Sequence, residues 1–332
     1  MSISNTFMNA GIDSPEKFPW SLYLAPRFWP SWLGLAFMRL LVFLPYRWQL
    51  SCGKAAGQLF YLLAKYRREV AQTNIRLCFP ELSRKAQEQL VRDHFHSMGL
   101  TITEAAMSWW GSEKKLKKLV HIENIEHFEN ALKQGKGAII LGAHYTTVEI
   151  SGRLFTYFHE LSVSYQKLRN PLFNQVLYNG RKRMFDTVFA RDDIRSVIRH
   201  IRKNHAVWVA TDQDAGRDNA VFAPFFGQLA ATQTATSRLA RITGAPVIPY
   251  FSQRLDNGRG YKIILYPALD DFPGDSETED ALRTNKLLEK LIRKAPEQYL
   301  WIHRRFKTRP EGMPKLYRQK PRRVRKHKKA SA

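Results

Sequence analysis

Two imidazole–carboxylate pairs in this chain stand five residues apart: His144 with Glu149, and His121 with Glu126. A carboxylate beside an imidazole holds one ring nitrogen and steadies the imidazolium. The other nitrogen is then free to take a proton from a hydroxyl. That is the base-and-orienter half of a catalytic triad, with the nucleophile left for the substrate to supply. On one continuous helix, residues five apart point about 140° away from each other. Such a pair meets only if the histidine lies before the helix and folds back over its first turn.

Context separates the two pairs. His144 lies in GAIILGAHYTTVEI, where the apolar run 138–141 reads as a short buried strand bounded by glycines. Thr146 and Glu149 then match T-x-x-E, a capping-box signature for a new helix. His144 falls in the turn at the carboxyl end of the strand, where open α/β sheets place their ligands. The alternative is that Glu149 is a capping residue only and His144 an ordinary loop histidine. His121 lies in the polar stretch HIENIEHFEN with no strand before it, and reads as a surface residue.

The elements that must position His144 follow from the hydrophobic pattern. Strands are expected at 138–141, 161–165, 207–210, 246–251 and 261–266, alternating with helices near 125–133, 148–158, 172–184, 194–203 and 234–243. Alternation of this kind predicts an α/β fold with a mainly parallel central sheet flanked by helices. A further helix is expected at 277–295, and an extended segment from Gln298 to His303. The expected organisation is a flexible N-terminus (1–27), a membrane-associated helix (28–50), a helical region (51–118), the α/β core (119–310) and a basic tail (311–332).

The membrane expectation rests on FWPSWLGLAFMRLLVFLPYRWQL, in which Trp29, Trp32 and Trp48 flank an apolar stretch with Arg27 and Arg47 at its ends. The apolar part is shorter than the roughly 20 residues of a spanning helix, and Arg39 interrupts it. The segment is therefore expected to dip into the bilayer or span it, with an ordinary buried helix as the alternative.

Other polar groups could share the crevice with His144. Asp212, Gln213 and Asp214 follow the strand VWVA; the paired carboxylates suggest a metal or an acid/base pair, and the alternative is a turn that uses Asp and Gly for backbone reasons. VFAPFFG, which contains Phe226, reads as an apolar loop: covered by core in a soluble protein, lining an acyl groove in a lipid enzyme. There is no P-loop, dinucleotide fingerprint, G-x-S-x-G or zinc spacing. Cys52 and Cys78 have no metal spacing and form no disulfide framework. With 53 Lys and Arg against 29 Asp and Glu, the formal charge is +24, which calls for an acidic partner. The basic tail suits anionic lipid or nucleic acid.

RFWPSWLG, NIRLCFPELS, GAHYTTVE, DQDAG, VFAPFFG and APEQYLWIHRRFKTRPEG together resemble the late acyltransferases of lipid A biosynthesis, the lauroyl/myristoyl transferases of the lysophospholipid acyltransferase-like superfamily. The last block is most similar to the lauroyl type. The resemblance implies a glycerol-phosphate acyltransferase-like fold on the cytoplasmic face of a Gram-negative inner membrane. The implied reaction moves an acyl chain from acyl carrier protein to a hydroxyl on a 3-hydroxyacyl chain of a Kdo-bearing lipid A precursor. His144 and Glu149 match the family dyad, with Glu149 orienting the His144 base. Asp212, Gln213, Asp214, Arg304 and Arg305 match blocks that hold substrate phosphates and sugars. Gln166 stands where many relatives carry Arg, which leaves Arg169 to compensate. The partners implied are acyl carrier protein, the precursor and membrane lipids, without nucleic acid, cofactor or metal. The competing readings are a glycerophospholipid acyltransferase, whose E-G-T-R-like block is not found, and a nucleic-acid-binding protein acting through its tail.

Overall fold

The computed structural model describes residues 20–218 and 220–318. The segment 1–19 and most of the basic tail, 319–332, lie outside the described residues, and so do the expectations placed on them.

The segment expected as one helix over 28–50 is two. Helix α1 (Trp29–Leu41) stops ahead of Pro45, and α2 (Tyr46–Leu63) starts just after it. Proline has no N–H to continue a helix but is well suited to begin one. No described helix is long and apolar enough to cross a membrane. Helix α3 (Lys65–Cys78) leads through Pro80 to the long α4 (Arg84–Trp110), whose Ser83 hydroxyl accepts from the Ala86 N–H as an N-cap. Helices α2 and α4 touch backbone to backbone. A Cβ on Gly99 would sit 2.1 Å from the Gly53 carbonyl oxygen, so only glycine permits this crossing.

A short α5 (Glu113–Leu116) precedes the core, which runs β1 (Val120–Glu123), α6 (Glu126–Leu132), β2 (Ala138–Gly142), α7 (Val148–Phe155), β3 (Ser162–Tyr165), α8 (Pro171–Met184), β4 (Val188–Ala190), α9 (Ile194–Arg202) and β5 (Ala206–Ala210). It continues with β6 (Ala220–Phe225), β7 (Gln228–Gln233), α10 (Ala235–Thr243), β8 (Val247–Arg254), β9 (Tyr261–Leu265) and α11 (Glu277–Ile292). Seven strands form one sheet in the order β1-β9-β8-β2-β5-β3-β4, and every neighbouring pair except β8–β9 is parallel. Strand β2 is fully buried, as its unbroken apolar run demands. One face of the sheet packs Ile140, Ala206 and Ile248 against Ile150, Leu154 and Phe155 of α7. The other packs Ile139, Val207 and Val247 against α9 and α10.

Three expectations need correction. VFAPFFG is the first strand and turn of the β6–β7 hairpin, with Phe226 turning the corner at φ 47°. Its ring is buried against Phe79 and Trp301, so it belongs to the core and lines no groove. The capping box does not form: Thr147 occupies the cap position of α7 with no side-chain bond, and its hydroxyl pairs with that of Ser252. The extended segment expected over 298–303 makes only one isolated bridge, Tyr145 to Tyr299, after a 3-10 turn (Pro296–Gln298).

Candidate active site

Strands β2 and β5 are parallel neighbours with Gly142 opposite Ala210. Two residues past that pair on each strand stand His144 and Asp212. The register alone therefore brings them face to face at the carboxyl edge of the sheet, the edge where doubly wound folds bind ligands. His144 Nδ1 lies 2.7 Å from Asp212 Oδ1, and the His144 backbone N–H donates to Oδ2 at 3.0 Å. Asp212 is buried, whereas the His144 side chain keeps 30% of its surface. Among the described residues Nε2 has no hydrogen-bond partner, and the ring meets the Trp208 indole edge-on at 5.8 Å between centroids.

Burial alone would push the His144 imidazole down. The charge and hydrogen bond of Asp212 outweigh it, and His144 titrates above the ordinary histidine value of 6.5. Arg181 and Arg191 oppose that rise, which places both guanidinium groups within electrostatic reach of the ring. For Asp212, burial would raise the carboxyl, but His144 and its two hydrogen bonds hold it down at about 2. The pair therefore keeps a charged carboxylate beneath an imidazole at neutral pH.

Glu149 does not hold His144. It lies in the first turn of α7 and points sideways to α8 and α4. Its carboxylate accepts from Arg181 Nη2 at 2.6 Å, from Arg181 Nε at 3.1 and 3.4 Å, and from the Trp109 indole at 3.0 Å. The expected partner of the base is replaced by Asp212 for a geometric reason: the helix carries Glu149 away, and the sheet register supplies the carboxylate. Glu149 and Arg181 instead line a pocket with Val148, Gly152, Phe185 and Trp208. Gly142 is needed here, because a Cβ would stand 2.4 Å from the Trp208 indole nitrogen.

The remaining candidates separate. Gln213 uses its carbonyl to accept from Arg305 at 3.4 Å. The Asp214 carboxylate accepts from the Thr308 N–H at 2.8 Å and from the Thr308 hydroxyl at 3.1 Å, anchoring the chain's C-terminal segment. Arg305 is 2% exposed and points inward to the Ala231 carbonyl and the Thr232 hydroxyl, which removes it as a cation for substrate phosphates. Arg304 is half-buried, and Arg169 is exposed in the loop after β3. His121 is exposed on the edge strand β1, far along the sheet order from β2.

Four residues around the site were not named as site residues from the sequence, although Tyr299 and His303 lie in the APEQYLWIHRRFKTRPEG block. Tyr299 donates its hydroxyl to the Asp212 carbonyl at 3.2 Å. His303 accepts from the Asp214 N–H at 3.0 Å, and burial pushes it down to about 4. Arg181 and Trp109 reach Glu149 from helices distant in sequence. The segment bearing Tyr299 also grips the base directly, through Leu300 N to His144 O at 3.0 Å and Thr146 N to Gln298 O at 2.7 Å.

A histidine over a buried aspartate, with its second ring nitrogen open, has the arrangement that removes a proton from a hydroxyl. Comparison with known proteins decides the family. The model of the bacterial lipid A biosynthesis acyltransferases matches residues 16–308. The chain belongs to that family. The acyltransferase is 36% identical to the lipid A biosynthesis lauroyltransferase of Escherichia coli K12, over 91% of this chain and 98% of the relative. It is 35% identical to the palmitoleoyltransferase of the same strain, over 89% of this chain and 96% of the relative. Identity to that strain's myristoyltransferase is 28%, over 89% of this chain and 92% of the relative.

Among the described residues of the acyltransferase, one group has metal-ligand composition: Asp186, His200 and His205, whose ligand atoms lie within 4.8 Å of one another. They flank the amino ends of β3, β4 and β5, the opposite edge of the sheet from His144. The two imidazoles stack at 4.1 Å and 17°, and His200 Nε2 and His205 Nδ1 both meet the same Asp186 carboxylate oxygen, at 3.0 and 3.3 Å.

Proposed function

We propose that this acyltransferase moves an acyl chain, in the lauroyl-to-myristoyl range, from acyl carrier protein to a hydroxyl on a 3-hydroxyacyl chain of a Kdo-bearing lipid A precursor. The observation that carries the chemistry is the His144–Asp212 pair with Nε2 left unpartnered. Asp212 holds the Nδ1 proton, fixing the tautomer in which Nε2 is the base. Nε2 takes the proton of the acceptor hydroxyl, and the oxygen attacks the thioester carbonyl. The tetrahedral intermediate collapses, the C–S bond breaks, and the imidazolium returns its proton to the departing thiolate. No acyl-enzyme intervenes.

Arg181, positioned by Glu149 and within electrostatic reach of His144, supplies positive charge where the oxyanion and the acceptor's phosphates gather. Glu149 thus keeps a part in catalysis through Arg181. Arg304, Arg169 and the side chain of Gln213 remain as further candidates for the acceptor's sugar and phosphate contacts.

The same reading places the enzyme on the cytoplasmic face of an inner membrane, held by an interfacial pair of helices. Leu33, Phe37, Leu40 and Phe43 from α1 and its end, and Trp48, Leu59, Leu62 and Leu63 from α2, are all exposed. So many large apolar side chains in water are unfavourable, and burying them in a headgroup–acyl boundary relieves this. The test is incubation of the membrane fraction with acyl carrier proteins loaded with chains of different length and a tetra-acylated, Kdo-bearing acceptor, read by mass spectrometry. A penta-acylated product formed only with wild-type His144 is expected. Absence of product with every donor sinks the reading.

A further inference from the structure

The corner where α1 turns into α2 leaves a groove against the end of α4 and against α5. It has a volume of about 270 Å³, near the lower end of the ligand-pocket range of about 300–1,000 Å³. Its walls include Val42, Leu44, Met107, Leu116 and Leu119. That is room for one hydrocarbon chain and not for a whole lipid.

Its surroundings are unlike its walls. Lys115 lines the groove, and Lys114, Lys118 and Arg47 are exposed within a few residues of lining positions. Lys117 is already paired with Glu113 at 2.8 Å. Phe43 and Trp48, each next in sequence to a lining residue, are 70% and 66% exposed. The groove is therefore continuous with the face assigned to the membrane boundary. Apolar walls, a cationic rim and exposed apolar neighbours match one ligand class, an amphiphile with a hydrocarbon tail beneath an anionic head.

We infer that this groove holds one acyl chain of an anionic glycerophospholipid, whose phosphate rests on Lys114, Lys115 and Lys118. The inference rests on the interfacial placement of α1 and α2 described above. It adds a lipid site separate from the pocket beside His144. Met107, on the groove wall, packs in the same cluster as Ile150 and Leu154 of α7, one residue from Glu149. A lipid in the groove therefore braces the helix that positions Arg181.

The test is photolabelling of the full-length protein in dodecyl maltoside mixed micelles. One probe is phosphatidylglycerol with a diazirine on an acyl chain; the other is the matching phosphatidylcholine. Adducts are mapped by peptide mass spectrometry. They are expected at Val42, Leu116 and Leu119, several-fold stronger with phosphatidylglycerol. Leu119→Trp should fill the groove and remove them. Lys114→Glu with Lys115→Glu, which leaves the apolar walls untouched, should cut the phosphatidylglycerol adducts by about tenfold and spare the phosphatidylcholine ones. Adducts confined to the exposed face of α1, or equal yield from the two headgroups, overturn the inference. So does displacement of the probe by unlabelled lipid A precursor but not by unlabelled phosphatidylglycerol, since the groove would then belong to the acceptor. Micelle labelling needs no bilayer, so failure of the wild type to sediment with phosphatidylglycerol vesicles sinks the membrane placement separately.

Discussion

His144 and Asp212 bind each other twice: Nδ1 to Oδ1 at 2.7 Å, and the His144 backbone N–H to Oδ2 at 3.0 Å. The second bond fixes the loop as well as the ring. The carboxylate therefore sets where the imidazole sits and which tautomer it adopts, and it raises the pH at which the ring loses its proton.

The pH profile follows with a definite sign. In the proposed mechanism the neutral imidazole is the active form, and Asp212 raises its pKa above 6.5, so transfer should fall on the acid side through a limb above that value. In Asp212→Asn the raising influence is lost while burial remains, so the limb should move below 6.5. The rate at the optimum should fall by about 10²–10⁴, as loss of the orienting carboxylate does in a triad. His144→Ala should lose as much with no acid limb left, whereas His121→Ala should match wild type. These are read as initial rates of acyl transfer across pH. An unshifted limb in Asp212→Asn would remove Asp212 from the scheme.

Glu149→Gln and Arg181→Lys test the second ion pair. Breaking a largely buried pair by removing one partner costs on the order of 3–5 kcal/mol, and the Glu149 side chain is only 9% exposed. Both variants should unfold at lower denaturant. Their transfer should drop by orders of magnitude, with the acid limb moving far less than in Asp212→Asn, because Arg181 acts on His144 only through space and lysine keeps its charge. If Glu149→Gln instead shifts the limb as far as Asp212→Asn does, Glu149 holds the imidazole in solution and the assignment is reversed.

His94 predicts how the fold responds to acid. It is fully buried in α4, with Nδ1 3.2 Å from the Glu297 carbonyl, and burial pushes it down to about 4. An unfolded chain protonates this ring near 6.5, so between 6.5 and about 4 the unfolded state binds a proton that the native state does not. Stability should therefore fall as pH drops through that window, by up to about 3 kcal/mol from this one residue. His94→Gln should flatten the slope when urea midpoints are compared across the window. An unchanged slope assigns the acid sensitivity elsewhere.

Gly99→Ala should be among the most damaging single-methyl changes in the chain. The added carbon would stand 2.1 Å from the Gly53 oxygen and 2.5 Å from the Gly57 Cα, both of them backbone that has no rotamer to yield. Separation of α2 from α4 should lower the thermal midpoint by many degrees. A midpoint within a degree or two of wild type would mean that the helices cross less closely than described.

The sheet was legible because β2, β5, β8 and β9 are apolar runs of strand length with turn residues at their ends. Strands β1 and β4 were not, since edge strands of four and three residues with half-exposed faces carry little hydrophobic pattern. The place of His144, in a turn at the carboxyl end of a buried strand, was legible from the strand–turn–helix pattern around it. Its partner was misread because spacing along the chain favoured Glu149, while the deciding contact depends on which strand lies beside β2. That order is set by long-range packing, and the same holds for Arg181, Tyr299 and His303. Phe226 and Arg305 share a different lesson: residue type suggested ligand contact, but hairpin closure and buried carbonyls claimed both.

The grip of Gln298 and Leu300 on the turn at His144, and of Thr308 on Asp214, ties that turn to residues more than 90 to 150 positions later in the chain. Loosening the 298–308 segment would therefore free the histidine turn even while the buried strands beneath it stay paired, so heat or mild denaturant should disorder this corner before the sheet melts.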